Sequence, residues 1–260
     1  MLKGKNALIT GSTSGIGLGI ARILASSGCN IVLNGFGDKL EIEKLQKSLE
    51  EEFKVKILYH DADISKPSMI SDMVNYTSNQ LGGIDILVNN AGIQHVSPIE
   101  NFADEKWDSI IAINLSGAFH AIKYAVPIMR KNGFGRIINI ASAHGLVGSP
   151  NKSAYVAAKH GIVGLSKVVA LETAESNITC NAICPGWVKT PLVEKQIAAN
   201  AASGNISIEE ATKNLLFEKQ PSLKFVSVEE IGEVVKFLSS DAGRSITGIA
   251  LPIDGGWTAR

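Results

Sequence analysis

Tyr155 and Lys159 lie four residues apart in SAYVAAKHG. On a helix that spacing puts both side chains on one face, about 5 to 6 Å apart at Cβ. A free phenol, with a pKa of about 10, is a poor base at neutral pH. An adjacent ammonium stabilises the phenolate, and the pair can then exchange a proton with a substrate hydroxyl. Ser142, which ends RIINIAS, is placed to hydrogen-bond the same substrate oxygen as donor or acceptor. Taken alone, a YxxxK spacing also describes an ordinary helix-surface pair.

A second group of residues has the chemistry of a phosphate cradle. TGSTSGIG follows the apolar run NALI and supplies Gly11, Gly15 and Gly17, with Thr13, Ser14 and Ile16 between them. Glycines let backbone turn tightly and approach a pyrophosphate, and a helix opening there leaves its first N–H groups free for phosphate. The spacing is GxxxGxG, not the general dinucleotide fingerprint GxGxxG, and a flexible turn is the alternative. The next strand ends in Leu33-Asn34-Gly35-Phe36-Gly37-Asp38, so the acid that ordinarily receives the adenosine ribose hydroxyls is absent or displaced. With no Arg or Lys at Ser14 or within 34–38 to hold an extra phosphate, NAD is favoured over NADP by exclusion. Phe36 either packs on the ribose or adenine or is a surface-turn aromatic.

Polar donors cluster in sequence around the Tyr–Lys pair. Lys152 stands three residues before Tyr155, His144 two after Ser142, and Gln94 and Gln196 add amide donors. Each alone is a solvated, capping or packing residue; together the four could hold one carboxylate. Trp187 and Trp257 could wall a small apolar space beside it, whereas Trp107 reads as core or interface.

The elements that must position these residues alternate. Strand-like runs at Asn6–Thr10, Cys29–Asn34, Val55–Tyr59 and Ile84–Asn89, then RIINIAS, NITCNAI and ITGIALPI, are separated by helical patterns. Those patterns open near Gly15, run near 38–52, start at Pro67, and extend over 104–131 and 153–176. Continuous apolar strands separated by helices predict an α/β, Rossmann-like doubly wound parallel sheet of about seven strands, covered on both faces, in a single domain over 1–260. Ser207 with Glu210 and Ser227 with Glu230 fit capping boxes. The Ala-, Asn- and Ser-rich stretch 190–221 after the Pro-Gly turn predicts a small helical lid over the strand ends.

Composition narrows the classes. Apolar residues make up 45% and charged residues 19%, and 25 basic residues balance 25 acidic ones. No net field recruits nucleic acid or an anionic membrane, and the apolar runs fall short of a membrane span. Cys29, Cys180 and Cys184 lack metal-site spacing and read as reduced buried thiols; no metal is expected. No secretory signal opens the chain, so a cytoplasmic protein with a small-molecule partner is expected.

In order, TGSTSGIG, NNAG (89–92), Asn114 in INLSG, Ser142, YVAAK and the CPG turn ending at Gly186 resemble the short-chain dehydrogenase/reductase pattern over nearly the whole chain. The resemblance implies a catalytic tetrad of Asn114, Ser142, Tyr155 and Lys159, with Asn114 linking Lys159 to solvent through water. It implies dinucleotide contacts from Gly11, Thr13, Ser14, Gly15, Ile16, Gly17 and Phe36, from Asp63 and Ile64 near the adenine, and from Asn90, Ala91 and Gly92. Tyr155, Lys159, Pro185, Gly186, Val188 and Thr190 would complete the nicotinamide side. NGFGD, NAGIQHV, SAHGLV, CPGWVKTPLVEKQ and DGGWTAR resemble, more narrowly, the bacterial members that interconvert (R)-3-hydroxybutyrate and acetoacetate with NAD. That likeness implies a substrate carboxylate on Gln94, His144, Lys152 and Gln196, its methyl end against Trp187 and Trp257, and its reacting oxygen at Ser142 and Tyr155. It also implies a homotetramer, with the helices at 104–131 and 153–176 in one interface.

The rival reading within the fold is an NADP-linked reductase of 3-oxoacyl thioesters or another keto substrate, which should carry a basic residue near Ser14 or Phe36. A rival of another class is a non-catalytic nucleotide sensor, which needs no Asn, Ser, Tyr and Lys set.

Overall fold

The computed structural model of the chain describes residues 2–259. Seven strands, β1 (Asn6–Ile9), β2 (Asn30–Asn34), β3 (Ile57–His60), β4 (Ile86–Asn89), β5 (Gly135–Ile140), β6 (Ile178–Pro185) and β7 (Ala250–Ile253), form one sheet. Its order is β3-β2-β1-β4-β5-β6-β7, and every pairing is parallel. The expected single-domain Rossmann-like arrangement is therefore the observed one.

Strand residues alternate between two apolar layers. Ala7, Ile9, Leu33 and Val88 face one core, with Ile20 and Leu24 of α1 (Gly15–Ser26), Leu49 of α2 (Lys39–Phe53) and Val235 of α9 (Val228–Ser239). Leu8, Val32, Leu87 and Ile137 face the other, with Met73 of α3 (Pro67–Leu81), Ala125 of α5 (Gly117–Asn132) and Val169 of α6 (Ser153–Glu172). Each fully buried aliphatic side chain contributes about 1.5–3 kcal/mol, so register is specified from both faces.

Several boundaries differ from the sequence reading for visible reasons. The third strand starts at Ile57, not Val55, because the Lys56 N–H donates to the Asn30 side chain and the ladder begins one residue later. The long helix expected over 104–131 is α4 (Asp104–Ile111), a π turn at Ala112–Ser116, and α5. The capping box at Ser227 and Glu230 is complete, whereas at Ser207 only the serine half forms, accepting from the Glu210 N–H. Two helical stretches, 104–132 and 153–172, are long and apolar enough to cross a membrane by length and composition alone, a test that partly buried core helices such as these also pass. Each buries one face against the sheet.

Between β6 and α9 the chain forms the helix pair α7 (Pro191–Gly204) and α8 (Ile208–Lys219). Val193, Ile197, Ala211 and Leu215 of this pair share an apolar cluster with Trp187 and Trp257. Cys29, Cys180 and Cys184 are free and buried, as expected. Burial pushes the first two thiols up to about 12 and Cys184 to about 11.

Candidate active site

A cavity of about 480 Å³ lies over the C-terminal strand ends, where the strand order reverses between β1 and β4. Such a switch point is where open α/β sheets place ligands, because the connections leave to opposite faces and a crevice remains.

At one end Thr13, Ser14, Gly15 and Ile16 line the cavity. Ser14 caps α1 in extended conformation with no side-chain cap bond, and the first turn has no acid, so the helix N-terminus faces the cavity with its positive end free. Gly11 (φ +61°) and Gly15 (φ +55°) adopt backbone that other residues rarely tolerate. Gly17 does not line the cavity: its missing Cβ would stand 2.3 Å from the Gly11 carbonyl oxygen, so it seats the helix under the loop. The Asn90 side chain donates to the Thr10 and Gly11 carbonyls, each at 2.9 Å, and the Thr10 hydroxyl accepts from the N–H groups of Asn90 and Ala91. The turn at 89–92 is thus fastened to the glycine loop, and Asn89 instead donates to Asn139 inside the sheet.

Where the ribose acid would stand, Asn34 is buried and fully engaged. Its amide donates to the His60 and Ala62 carbonyls at 3.0 and 2.9 Å and accepts from the Gly11 N–H at 3.3 Å, tying together the ends of three strands. Sequence reasoning registered this position only as a missing acid. The Tyr59 hydroxyl donates to the Gly35 carbonyl and the Thr13 hydroxyl to the Phe36 carbonyl. The Phe36 side chain is 72% exposed at the rim. Asp63 and Ile64 line the same end, and hydrogen bonds from Ser65 hold the Asp63 carboxyl below its ordinary value.

At the centre, Ser142 follows β5, accepts from the His144 N–H at 3.2 Å, and lines the cavity together with Tyr155 of α6. The Lys159 ammonium donates to the Ile140 carbonyl at 2.7 Å and lies 5.5 Å from the Tyr155 ring centroid. Burial raises the Tyr155 phenol above its ordinary value, opposed by the Ser142 side chain, and lowers Lys159 to about 8. Asn114 sits in the π turn, and its side chain pairs with both backbone groups of Ile93 at 2.9 Å. Gly92, Pro185, Gly186, Val188 and Thr190 line the cavity around this centre.

At the far end Gln94, His144, Gln196, Trp187 and Trp257 line the cavity. The two indoles are 5.8 Å apart, and His144 meets Trp257 edge-on at 5.0 Å. Burial, then Lys152 and Lys219, push His144 down to about 3, so it is a neutral imidazole. Lys152 is not part of the lining; its ammonium lies 5.1 Å from the Trp187 ring centroid, lowered to about 8 by burial and then Lys219. His144 Nε2 and Trp187 Nε1 are buried with no hydrogen-bond partner among the described residues. Buried unpartnered nitrogens of this kind mark a place for a polar group to arrive, and the indole N–H calls for an acceptor.

Gln220 escaped sequence reasoning, since a glutamine at a helix end carries no signal. It is fully buried, accepts the Trp187 N–H at 2.7 Å and donates to the Lys224 carbonyl. Among the described residues no group of three or more His, Cys, Asp or Glu side chains could hold a metal ion.

The family model described as enoyl-(acyl carrier protein) reductase matches residues 11–258. The chain is 56% identical to a D-beta-hydroxybutyrate dehydrogenase of Cupriavidus necator, covering 100% of both. It is 55% identical to one of Rhizobium meliloti, covering 98% of this chain and 99% of the relative. L-sorbose reductase from Gluconobacter frateurii, solved with NADPH and L-sorbose, superposes with a TM-score of 0.95 at 32% identity, covering 100% of this chain and 98% of that one. With its Ser–Tyr–Lys centre, its glycine loop and these full-length similarities, the chain belongs to the short-chain dehydrogenase/reductase family.

Proposed function

We propose that the protein is an NAD-dependent dehydrogenase that interconverts (R)-3-hydroxybutyrate and acetoacetate. The observation that carries this reading is one cavity lined by Ser142, Tyr155 and Lys159 at its centre and by the unpartnered ring nitrogens of His144 and Trp187 at its far end. A small substrate with a reacting oxygen at one end and a carboxylate at the other would satisfy both. The relatives' names support that substrate class.

The free N-terminus of α1 and the Cβ-less backbone at Gly11 and Gly15 fit the pyrophosphate of a nicotinamide dinucleotide. Bound there, it would supply the hydride acceptor and donor for the interconversion of alcohol and ketone. Tyr155 takes the hydroxyl proton in oxidation and gives it back in reduction, while the Ser142 hydroxyl holds the same oxygen. Because burial favours the neutral phenol, the protein needs a positive charge nearby to admit the phenolate. Lys159, pinned to the Ile140 carbonyl, supplies it. Asn114 holds Ile93, and so the backbone leading into Gln94. Gln94, Gln196 and His144 offer hydrogen bonds to the carboxylate, Lys152 adds charge from beside Trp187, and the indole pair encloses the methyl end.

NAD is preferred over NADP because no basic side chain stands at 34–38 and the Phe36 side chain faces solvent at the rim. Residues 190–221, with α7 and α8, act as a lid whose inner face carries Val193 and Gln196 into the cavity. Exposed Trp107, Phe119, Val168 and Leu171 on α4, α5 and α6 support burial of these helices in a homotetramer. The three buried thiols suit a cytoplasmic setting.

The test is coenzyme reduction across (R)- and (S)-3-hydroxybutyrate, lactate, malate and 3-hydroxyacyl thioesters with NAD and NADP. Preference for (R)-3-hydroxybutyrate with NAD is expected; thioester turnover with NADP would replace this reading by the reductase.

A further inference from the structure

Lys152 and Lys219 each stand against one ring of the indole pair. The Lys152 ammonium lies 5.1 Å from the Trp187 ring centroid and the Lys219 ammonium 5.6 Å from that of Trp257, and the two rings are 5.8 Å apart. Lys219 comes from the last turn of α8, in the helix pair, whereas Lys152 comes from the body at the N-cap of α6. The Lys219 side chain is only 19% exposed, and it donates to the Ser149 hydroxyl at 3.0 Å across the gap between α8 and the loop before α6. Its charge reaches the cavity wall, lowering the proton affinity of both His144 and Lys152. Glu218 stands 3.4 Å from the Lys219 ammonium, but its carboxylate is 66% exposed and water screens it more than the lysine. Two ammonium groups, neither of them in the cavity lining, therefore stand close to a wall that carries two unpartnered ring nitrogens and no nearby acid.

We propose that Lys219 is a specificity-determining residue of the substrate pocket: carried on the closing helix pair and seated on Ser149, it brings a second positive charge to the wall that receives the substrate carboxylate. The proposal rests on the reading that the substrate is a short carboxylate. Closure and anion recognition are then one event, because the helix pair brings the charge with it. A neutral molecule of the same shape gains the apolar wall but not the attraction.

Competitive inhibition of the NAD-bound enzyme by butyrate and by its neutral isostere butyramide separates charge from shape. Lys219→Met is expected to raise the butyrate Ki roughly tenfold, the scale of one partly screened charge contact, and to leave that of butyramide within about twofold. Lys219→Arg should restore the butyrate Ki. Ser149→Ala, which removes the seat and keeps the lysine, should raise the butyrate Ki in the same direction as Lys219→Met but by less, and leave that of butyramide within about twofold. If Lys219→Met moves both equally, or neither, Lys219 is a structural fastening or a bystander and the proposal is overturned. If the wild-type enzyme shows no preference for butyrate over butyramide, the carboxylate reading itself fails, and the proposal with it.

Discussion

Trp187 donates its backbone N–H to the buried side chain of Gln220 at 2.7 Å, joining the chain entering the α7–α8 pair to the chain leaving it. The Trp187 carbonyl accepts from the Val226 N–H at 2.9 Å, and Val188 pairs with Val226 in a parallel bridge, so the neck of the pair is clasped beside the pocket wall. Gln220→Ala would leave that N–H unpaired in a dry site, at a cost of about 1–3 kcal/mol. A melting temperature lowered by roughly 3–8 °C and a raised KM for the hydroxy acid are expected. A variant with wild-type melting and KM would show that the clasp is idle.

Tyr155→Phe removes the proton carrier and leaves the glycine loop untouched. A kcat lower by roughly 10²–10⁴ is expected, with NADH binding preserved by fluorescence titration. Substantial turnover by a variant verified to hold NADH would exclude Tyr155 from the proton step.

Lys152→Ala and Gln196→Ala act on the substrate end. Each should raise the KM for 3-hydroxybutyrate by roughly tenfold or more, the worth of a hydrogen bond or charge contact to a carboxylate, with coenzyme affinity unchanged. Equal losses in both would point to a general loosening of the cavity.

The Lys152 ammonium, lowered to about 8 by burial and Lys219 and opposed by Glu218, carries its charge below that pH and loses it above. The KM for acetoacetate should therefore climb as pH rises from 7 to about 9.5. Lys152's folded value lies below its ordinary 10.5, so its burial opposes folding below about pH 8 and that opposition fades between 8 and 10.5. A bound carboxylate relieves it, so butyrate with NAD should raise the melting temperature more at pH 7 than at pH 9.5. Calorimetry at pH 8 in buffers of different ionisation enthalpy should show proton uptake on butyrate binding; proton release would contradict the assignment.

Asn34→Asp keeps the shape at the end of β2 but cannot donate to the His60 and Ala62 carbonyls. The KM for NAD should rise by roughly tenfold or more, with kcat at saturating coenzyme little changed. An unaltered NAD KM would mean that the ribose end does not depend on this tie.

Much of this molecule was legible in one dimension because its signals are local. Apolar runs five or six residues long, glycines at a strand-to-helix junction and a Tyr–Lys pair one helical turn apart each express a constraint within a few residues. Hence the sheet, the glycine loop and the Ser142–Tyr155–Lys159 centre were all readable from spacing and order. The boundary of β3, the half-formed box at Ser207 and the π turn at Asn114 were not, since each depends on what a distant residue donates or accepts. Tertiary structure alone decided that Lys152 stands against the Trp187 ring outside the cavity lining, that His144 is neutral, that Asn34 replaces an acid by knitting three strand ends, and that Gln220 clasps Trp187. Burial and long-range hydrogen bonding set these properties, and neither is a function of neighbouring letters in the chain.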